Sequence, residues 1–157
     1  MLRIAILDDY QNVALESADW SSLVGSATLT VFNDHLSDAN EIVERLAPFD
    51  VVWVMRERTP LSREILARLP QLKLIASTGP RNASIDLAGA ADYKIDVMNT
   101  RYDSSSTVEL TWALILASAR NLIIEAASVR SGGWQRTIGD GIRGKVHKVW
   151  WDSPSWA

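Results

Sequence analysis

The sequence has no cysteine among its 157 residues, which excludes disulfide bonds, thiol nucleophiles and thiolate metal ligands. Only two histidines are present, and one of them, His35 beside Asp34 and Asp38, is too isolated to predict a metal site. Basic residues are not in excess, because the net charge is −3; we therefore expect no nucleic-acid partner and no membrane surface. No apolar run reaches the roughly 20 residues that span a bilayer.

The amino-terminal segment, MLRIAILDDY, also lacks a long apolar stretch and a cleavage signature, so we expect a cytoplasmic protein. The acidic pair Asp8–Asp9 follows the first apolar run. We interpret this pair as a solvated strand end, with a phosphoacceptor site as the alternative. The remaining composition, 47% hydrophobic, is ordinary for a globular protein with a sizeable core.

Short apolar runs alternate with helical patterns over the first hundred residues. Helices are predicted from Asp38, Ser62 and Ser84, the first two as side-chain caps, and a weaker one over residues 12–22. The alternation predicts an α/β fold with a parallel sheet and flanking helices. Right-handed crossovers make the flavodoxin-like strand order the simplest arrangement. The predicted strands are residues 2–7, 28–32, 51–55, 72–76 and 95–98.

The stretch from residue 72 to residue 97 predicts strand, glycine loop, short helix and strand in succession. Residues 78–82, Thr-Gly-Pro-Arg-Asn, interrupt the apolar pattern with residues that favour loops. Ligands of open parallel sheets bind beyond the carboxyl ends of the strands. The loop at Gly79 is therefore the candidate ligand loop.

The second part of the chain predicts one long helix. Ser106 and Glu109 have capping-box spacing, and the helix that follows would run for about 25 residues, or roughly 37 Å. Between Val108 and Ala119 the helix is apolar almost all round, a pattern typical of a helix that is buried on every side. We expect another domain or a second copy of the chain to cover it.

Four strings in this order resemble the amino-terminal part of a D-isomer-specific 2-hydroxyacid dehydrogenase. They are MRERTPL, LPQLKLIASTGPRNASIDL, STVELTWALILA and the segment from GGWQ to GIRGK. The resemblance covers about residues 1–145. It implies a flavodoxin-like substrate domain over residues 1–100, and an interdomain and dimerisation helix with the start of a nucleotide domain over residues 101–145. The implied partners are a small 2-hydroxy or 2-oxo acid and a second copy, bound through the helix between Thr107 and Arg130.

The resemblance places the dinucleotide fingerprint G-x-G-x-x-G directly after Lys145, where the sequence instead reads VHKVWWDSPSWA. We expect this chain to lack the motif. The family's catalytic arginine, glutamate and histidine fall further on, so we expect no catalytic residue in this chain. The cofactor of the family is NAD or NADP, and we expect this chain alone not to bind it.

The tail, residues 146–157, is aberrant for the family. In another reading frame, codons permitted by residues 149–157 can spell Val-Gly-Leu-x-x-Leu-Gly, close to the fingerprint. Our hypothesis is a frameshifted fingerprint and a truncated dehydrogenase. The alternative is a genuine packing segment with three tryptophans.

The resemblance also implies substrate-binding residues near the candidate loop. They are Arg56, Arg58, Gly79, Arg81 and Asn82. Two backbone donors of many family members would fall at Pro80 and Arg81, and Pro80 has no N–H. The Arg81 guanidinium, which binds a carboxylate through two parallel hydrogen bonds, would compensate. The alternative for the three arginines is surface solvation or pairing with Glu57 and Asp86.

Ser106 and Thr107 match a family segment that approaches the nicotinamide, so both are candidate cofactor-binding residues. Helix capping explains them equally well. Two functions follow from the whole sequence. The first is an NAD(P)-dependent oxidoreductase of this family, here a truncated substrate domain that is inactive alone. The second is a non-catalytic, dimerising α/β module that binds a small carboxylate.

Overall fold

The computed structural model describes residues 1–101 and 103–144. The chain divides into two compact units, residues 1–102 and residues 103–157. The predicted aberrant tail, residues 146–157, lies outside the described residues, so its frameshift origin stays a hypothesis.

The first unit contains a five-stranded parallel sheet. The strand order is β2-β1-β3-β4-β5, which confirms the predicted flavodoxin-like arrangement. Every neighbouring pair is parallel, and the register pairs Ile4 with both Leu29 and Val51. The strands are β1 (Leu2–Ile6), β2 (Ala27–Val31), β3 (Val51–Val54), β4 (Leu74–Ser77) and β5 (Asp96–Asn99).

Three short helices flank this sheet: α1 (Ala39–Leu46), α2 (Arg63–Leu66) and α3 (Leu87–Asp92). The predicted caps are confirmed for the first two. The Asp38 carboxylate accepts the backbone N–H groups of Asn40 and Glu41, and the Ser62 hydroxyl accepts that of Ile65. Asp86 caps α3 through the N–H of Gly89. These acceptors satisfy donors that a helix start leaves without intrahelical partners.

The predicted helix over residues 12–22 is wrong. This segment forms turns, with one 3₁₀ turn over Ser21–Leu23. The Asp9 carboxylate accepts the N–H groups of Val13 and Ala14, and Asn12 is left-handed with φ 55°. A side-chain acceptor thereby replaces the carbonyl acceptors that helical turns would supply.

The core lies between the helices and one face of the sheet. Val52 and Val54 of β3 and Ile75 of β4 are completely buried, whereas Trp53, between the two valines, is only partly buried. Successive strand residues point to opposite faces, so this alternation identifies the face that packs on the helices. Other core residues are Ile42, Leu46, Leu61, Leu66, Leu69, Ile85 and Ala90.

The second unit contains two helices where one was predicted: α4 (Ser105–Ala119) and α5 (Leu122–Arg130). They meet at an angle of 68°. Asn121 between them is left-handed with φ 52°, a conformation that asparagine tolerates and a continuous helix forbids. The prediction of one unbroken helix of about 25 residues is therefore wrong.

The predicted capping box at Ser106 and Glu109 is also wrong, because the helix already begins at Ser105. Asp103 Oδ1 accepts both the N–H and the hydroxyl of Ser105, at 2.9 and 2.8 Å. The hydrogen bond from the N–H of Ser105 is the main reason why the pKa of the Asp103 carboxyl is lowered. Ser106 is thus an interior residue of the first turn.

Among the described residues, no helix by itself has the length and apolarity to cross a membrane, and α4 and α5 pass that test only as a bent pair. α4 buries none of its residues. Its exposed apolar side chains include Val108, Leu110, Trp112, Leu114 and Leu116, and α5 adds Leu122, Ile123, Ile124 and Val129.

Candidate functional site at the carboxyl ends of the strands

The loops that follow β3, β4 and β5 meet at the carboxyl end of the sheet. The N–H of Gly79 donates to Thr100 Oγ1 at 2.9 Å, and the N–H of Arg56 donates to Thr78 Oγ1 at 3.1 Å. Two threonine hydroxyls therefore connect the three loops. Neither threonine was predicted as a site residue, although each is the first residue after a strand.

Gly79 has φ +85°, a backbone conformation that L side chains rarely adopt. A Cβ at this position would lie 3.8 Å from Arg56 Cζ and 3.9 Å from Arg56 Nε. The Arg56 guanidinium therefore lies beside the glycine, within van der Waals distance of where a side chain would begin. Arg56 itself is left-handed, with φ 49°. Two unusual backbone conformations thus meet at one point of the site.

Asn82 is almost completely buried and connects the loops through three hydrogen bonds. Its Nδ2 donates to the Arg56 carbonyl at 2.5 Å and to Ser77 Oγ at 3.1 Å. Its Oδ1 accepts the N–H of Ser84 at 2.9 Å. Since both Nδ2 hydrogens are used within the protein, the structure makes the Asn82 side chain a connector between loops.

The supply of backbone donors in the candidate loop is limited. The N–H of Gly79 is bonded to Thr100, and Pro80 has none. The backbone N–H groups of Arg81 and Asn82 have no acceptor in the part of the chain that the structure describes. Consecutive N–H groups of this kind can form an anion-binding concavity.

Arg81 is exposed and forms no ion pair with any described residue. Its predicted partner in the surface alternative, Asp86, lies 3.7 Å from Arg63 instead. The Arg81 guanidinium is therefore available to a ligand. Its role in substrate binding stays a prediction.

Arg58 belongs to a different group of side chains. Its Nη1 donates to the Asp8 carbonyl at 2.8 Å, and its guanidinium carbon lies 4.8 Å from the centroid of the Tyr10 ring. These contacts occupy Arg58 at the end of β1. The substrate-binding assignment of Arg58 stays a prediction.

The interpretation of Asp8–Asp9 as a solvated strand end is wrong. Asp8 and Asp9 are only 1% and 4% exposed. The Asp8 carboxylate accepts Thr59 Oγ1 at 2.6 Å and lies 2.8 Å from His35 Nδ1. Within residues 1–101 and 103–144, no group of three histidine or acidic side chains could hold a metal ion.

Ser106 and Thr107 lie in the first turn of α4 and are exposed. The Thr107 carbonyl accepts the Thr111 hydroxyl at 2.8 Å. The N-cap residue of α4 is Ser104, which makes no side-chain cap hydrogen bond, so capping does not explain Ser106. Their contact with a nicotinamide stays a prediction.

The spacing G-x-G-x-x-G occurs once, in Gly139-Asp-Gly-Ile-Arg-Gly144, so the expectation that the chain lacks this spacing is wrong. A dinucleotide fingerprint requires a strand before it and a helix after it, and residues 134–142 are irregular. Gly139 has a packing reason instead: a Cβ would lie 3.0 Å from the Ala119 carbonyl oxygen and from Arg120 Cα. The Asp140 N–H donates to the same carbonyl at 2.6 Å. This motif is a structural turn against the end of α4.

Comparison with known proteins identifies the family. Residues 4–140 match the model of the D-isomer specific 2-hydroxyacid dehydrogenase catalytic domain. The chain belongs to this family. It is 36% identical over 103 residues to D-3-phosphoglycerate dehydrogenase of Methanocaldococcus jannaschii, covering 65% of this chain and 20% of that protein. It is 30% identical over 126 residues to hydroxypyruvate reductase of Thermotoga maritima, covering 80% of this chain and 40% of that protein.

A solved structure of a similar protein also resembles this dehydrogenase-family chain. Phosphoglycerate oxidoreductase from Vibrio cholerae O395 superposes with a TM-score of 0.77 at 38% identity, over 88% of this chain and 45% of that one. The chain therefore spans less than half the length of each of these relatives.

Proposed function

We propose that the first unit is the carboxylate-binding part of an NAD(P)-dependent oxidoreductase that interconverts a small 2-oxo acid and a 2-hydroxy acid. The match of residues 4–140 to the family, together with the donor groups around Gly79, carries this proposal. The names of the relatives refer to phosphoglycerate and hydroxypyruvate. Both compounds have a carboxylate next to an oxygen-bearing carbon, and this carboxylate is what the Gly79 loop would hold.

The proposed binding groups are of two kinds. The backbone N–H groups of Arg81 and Asn82 would donate to one carboxylate oxygen. The guanidinium groups of Arg81 and Arg56 would supply positive charge and further donors, Arg56 being fixed beside Gly79. Charge-assisted hydrogen bonds to a carboxylate are roughly twice as strong as neutral ones. Arg58 would contribute through the position of its loop.

The cofactor of this reaction, NAD or NADP, does not fit the described residues. The one glycine-rich string of suitable spacing, Gly139–Gly144, is not preceded by a strand, because residues 134–142 are irregular. We therefore propose that the 157-residue protein alone neither binds the dinucleotide tightly nor turns over. Ser106 and Thr107 would face the nicotinamide only in a protein that also contains a nucleotide-binding fold.

The proposal includes a cytoplasmic homodimer formed through α4 and α5. Trp112 and Leu114 are 52% and 62% exposed, and Ile123 is 84% exposed. Monomeric proteins rarely expose contiguous apolar surface of this kind. A second function, a non-catalytic dimeric module that binds a small carboxylate, shares this surface and the Gly79 loop. The two functions differ in whether a dinucleotide takes part.

Titration of the purified protein with oxamate, an unreactive 2-oxo acid analogue, tests the carboxylate site. We expect shifts of the NMR amide signals of Gly79, Arg81 and Asn82. Arg81→Gln should weaken binding about tenfold, as expected for one lost charge-assisted pair. Arg68→Gln, an exposed arginine that donates to Asn40, is the control. Unchanged signals in the Gly79 loop at saturating oxamate contradict the proposal.

Titration with NADH and NADPH in the presence of hydroxypyruvate tests the proposed inactivity of the 157-residue protein. We expect neither saturable binding nor oxidation of the nucleotide by the 157-residue protein. Measurable turnover would overturn the proposed inactivity and would establish the oxidoreductase directly.

A further inference from the structure

A group of buried polar side chains lies at the end of β1, outside the proposed carboxylate site. Its centre is Asp8, which is 1% exposed and left-handed with φ 59°. A buried carboxylate is costly unless hydrogen bonds compensate for its lost hydration. Asp8 Oδ2 accepts Thr59 Oγ1 at 2.6 Å, and Asp8 Oδ1 lies 2.8 Å from His35 Nδ1. Burial and hydrogen bonding therefore both fix the position of the Asp8 carboxylate.

The backbone of Asp8 makes a second connection to the same neighbouring loop. Its carbonyl accepts Arg58 Nη1 at 2.8 Å, and the Arg58 guanidinium also lies over the Tyr10 ring. Asp8 thus holds two successive residues, Arg58 by its carbonyl and Thr59 by its carboxylate. Both contacts span about fifty positions of the sequence, so they fix the loop after β3 to the end of β1.

The loop held by Asp8 is the loop that carries Arg56. Its other attachment is to the Gly79 loop, where the Arg56 N–H donates to Thr78 Oγ1 and the Arg56 carbonyl accepts Asn82 Nδ2. Residues 56–59 are therefore held from two sides. The left-handed φ of Arg56, 49°, is unfavourable for a residue without special side-chain compensation. Such a conformation persists when surrounding contacts determine it.

We propose that Asp8 is a positioning residue that, through Thr59 and Arg58, holds residues 56–59 so that the Arg56 guanidinium lies beside Gly79. Asp8 acts through this loop and does not touch the substrate. This inference rests on the proposed function only in giving Arg56 a substrate to bind. The structural part, that the Asp8–Thr59 bond orders the Arg56 backbone, stands without it.

Thr59→Val tests the proposal with the smallest change, because valine keeps the shape and removes the hydroxyl donor. Amide hydrogen exchange of Arg56 should become about tenfold faster, since loss of the bond to a buried carboxylate favours local opening of the loop. Oxamate should bind about tenfold more weakly. Thr59→Ser retains a hydroxyl and should restore both properties toward those of the unmodified protein.

Asp38→Ala is the control for general loss of stability. It removes the cap of α1, which lowers the stability of the folded protein, and it leaves the Arg56 loop intact. Asp8→Asn, which preserves the side-chain shape and lowers its capacity as an acceptor, should reproduce Thr59→Val. If the Asn variant does not fold, the Thr59 pair decides the question.

The possible outcomes separate the two proposals. Absence of oxamate binding by the unmodified protein refutes the carboxylate site, and the exchange rates then judge the positioning role alone. If the unmodified protein binds oxamate, the positioning role is overturned when Thr59→Val changes neither the amide exchange of Arg56 nor the affinity for oxamate. The carboxylate site then still stands. Equal effects of Thr59→Val and Asp38→Ala also overturn it.

Discussion

The side-chain amide of Asn82 donates a hydrogen bond to the backbone carbonyl of Arg56 at 2.5 Å. This contact joins the loop after β3 to the loop after β4, which lie 26 positions apart in the sequence. The same amide also reaches Ser77 Oγ. The candidate site is thus assembled by side-chain contacts between loops, on a sheet edge that the fold supplies.

Asn82→Asp should destabilise the first unit by about 1–3 kcal/mol, because a carboxylate would replace a buried donor opposite two oxygen atoms. Urea unfolding measures the change. Asn12→Asp is the control, since the Asn12 side chain accepts from Asn33 Nδ2, a role that aspartate keeps, and it should stay within about 0.5 kcal/mol. If Asn82→Asp does not change the stability, the hydrogen bonds of the Asn82 side-chain amide do not hold the two loops together.

Gly79→Ala should lower the free energy of unfolding by about 1–2 kcal/mol, because alanine is unfavourable at φ +85°. Gly25→Ala is a matched control, with φ +78° and no atom within 4 Å of the added Cβ. We expect similar losses of stability from both substitutions, and weaker oxamate binding only from Gly79→Ala, where the methyl group meets Arg56. Calorimetry measures both properties. Equal oxamate affinities in the two variants would contradict a ligand role for the Gly79 loop.

Glu125 should make the second unit sensitive to acid. Its carboxylate accepts the Thr137 hydroxyl and the N–H groups of Arg136 and Thr137, and these bonds, the Thr137 side chain foremost, lower the pKa of Glu125. A lowered folded-state pKa gives stability that is complete above the usual glutamate range, about 4.3. This stability disappears as the pH falls through the lowered value.

The test is the urea midpoint of Glu125→Gln between pH 7 and pH 3. The variant should be less stable at pH 7, and the difference from the unmodified protein should shrink on acidification. Glu109→Gln, an exposed position whose side chain makes no hydrogen bond to any described residue, should leave the profile unchanged. A difference that grows as the pH falls would refute the assignment.

Leu114→Glu should convert the proposed dimer into a monomer, because a charge would enter apolar surface that association covers. Ile138→Glu is the control: it alters an apolar side chain that is 88% exposed but lies outside both helices. Sedimentation equilibrium measures the molecular mass. A monomeric unmodified protein, or equal masses for all three proteins, would remove the basis of the proposed dimer.

The sheet could be predicted from the sequence because its signals are local. Each strand is a short apolar run, and Asp38 and Ser62 occupy cap positions that their spacing from the following helices indicates. Crossover handedness then leaves few strand orders. The family strings, such as the one ending in Leu87, add information that no local pattern contains.

The contacts of the site could not be predicted in the same way, because they join residues distant in sequence. Nothing near Asp8 indicates that Thr59 and His35 bury its carboxylate, so the pair with Asp9 was interpreted as solvated. The break at Asn121 was missed for a related reason. Its flanking residues fit a helical pattern, and a left-handed asparagine leaves that pattern intact while it changes the direction of the chain.

The 68° angle between α4 and α5 limits how a second molecule can meet this surface. Two straight helices can shift along each other by one turn, about 5.4 Å, and still bring apolar side chains into contact. A bent pair of helices cannot shift in this way without separating one of its two helices from the partner molecule. An assembly built on this elbow would therefore have a single alignment, set by shape before any individual contact is made.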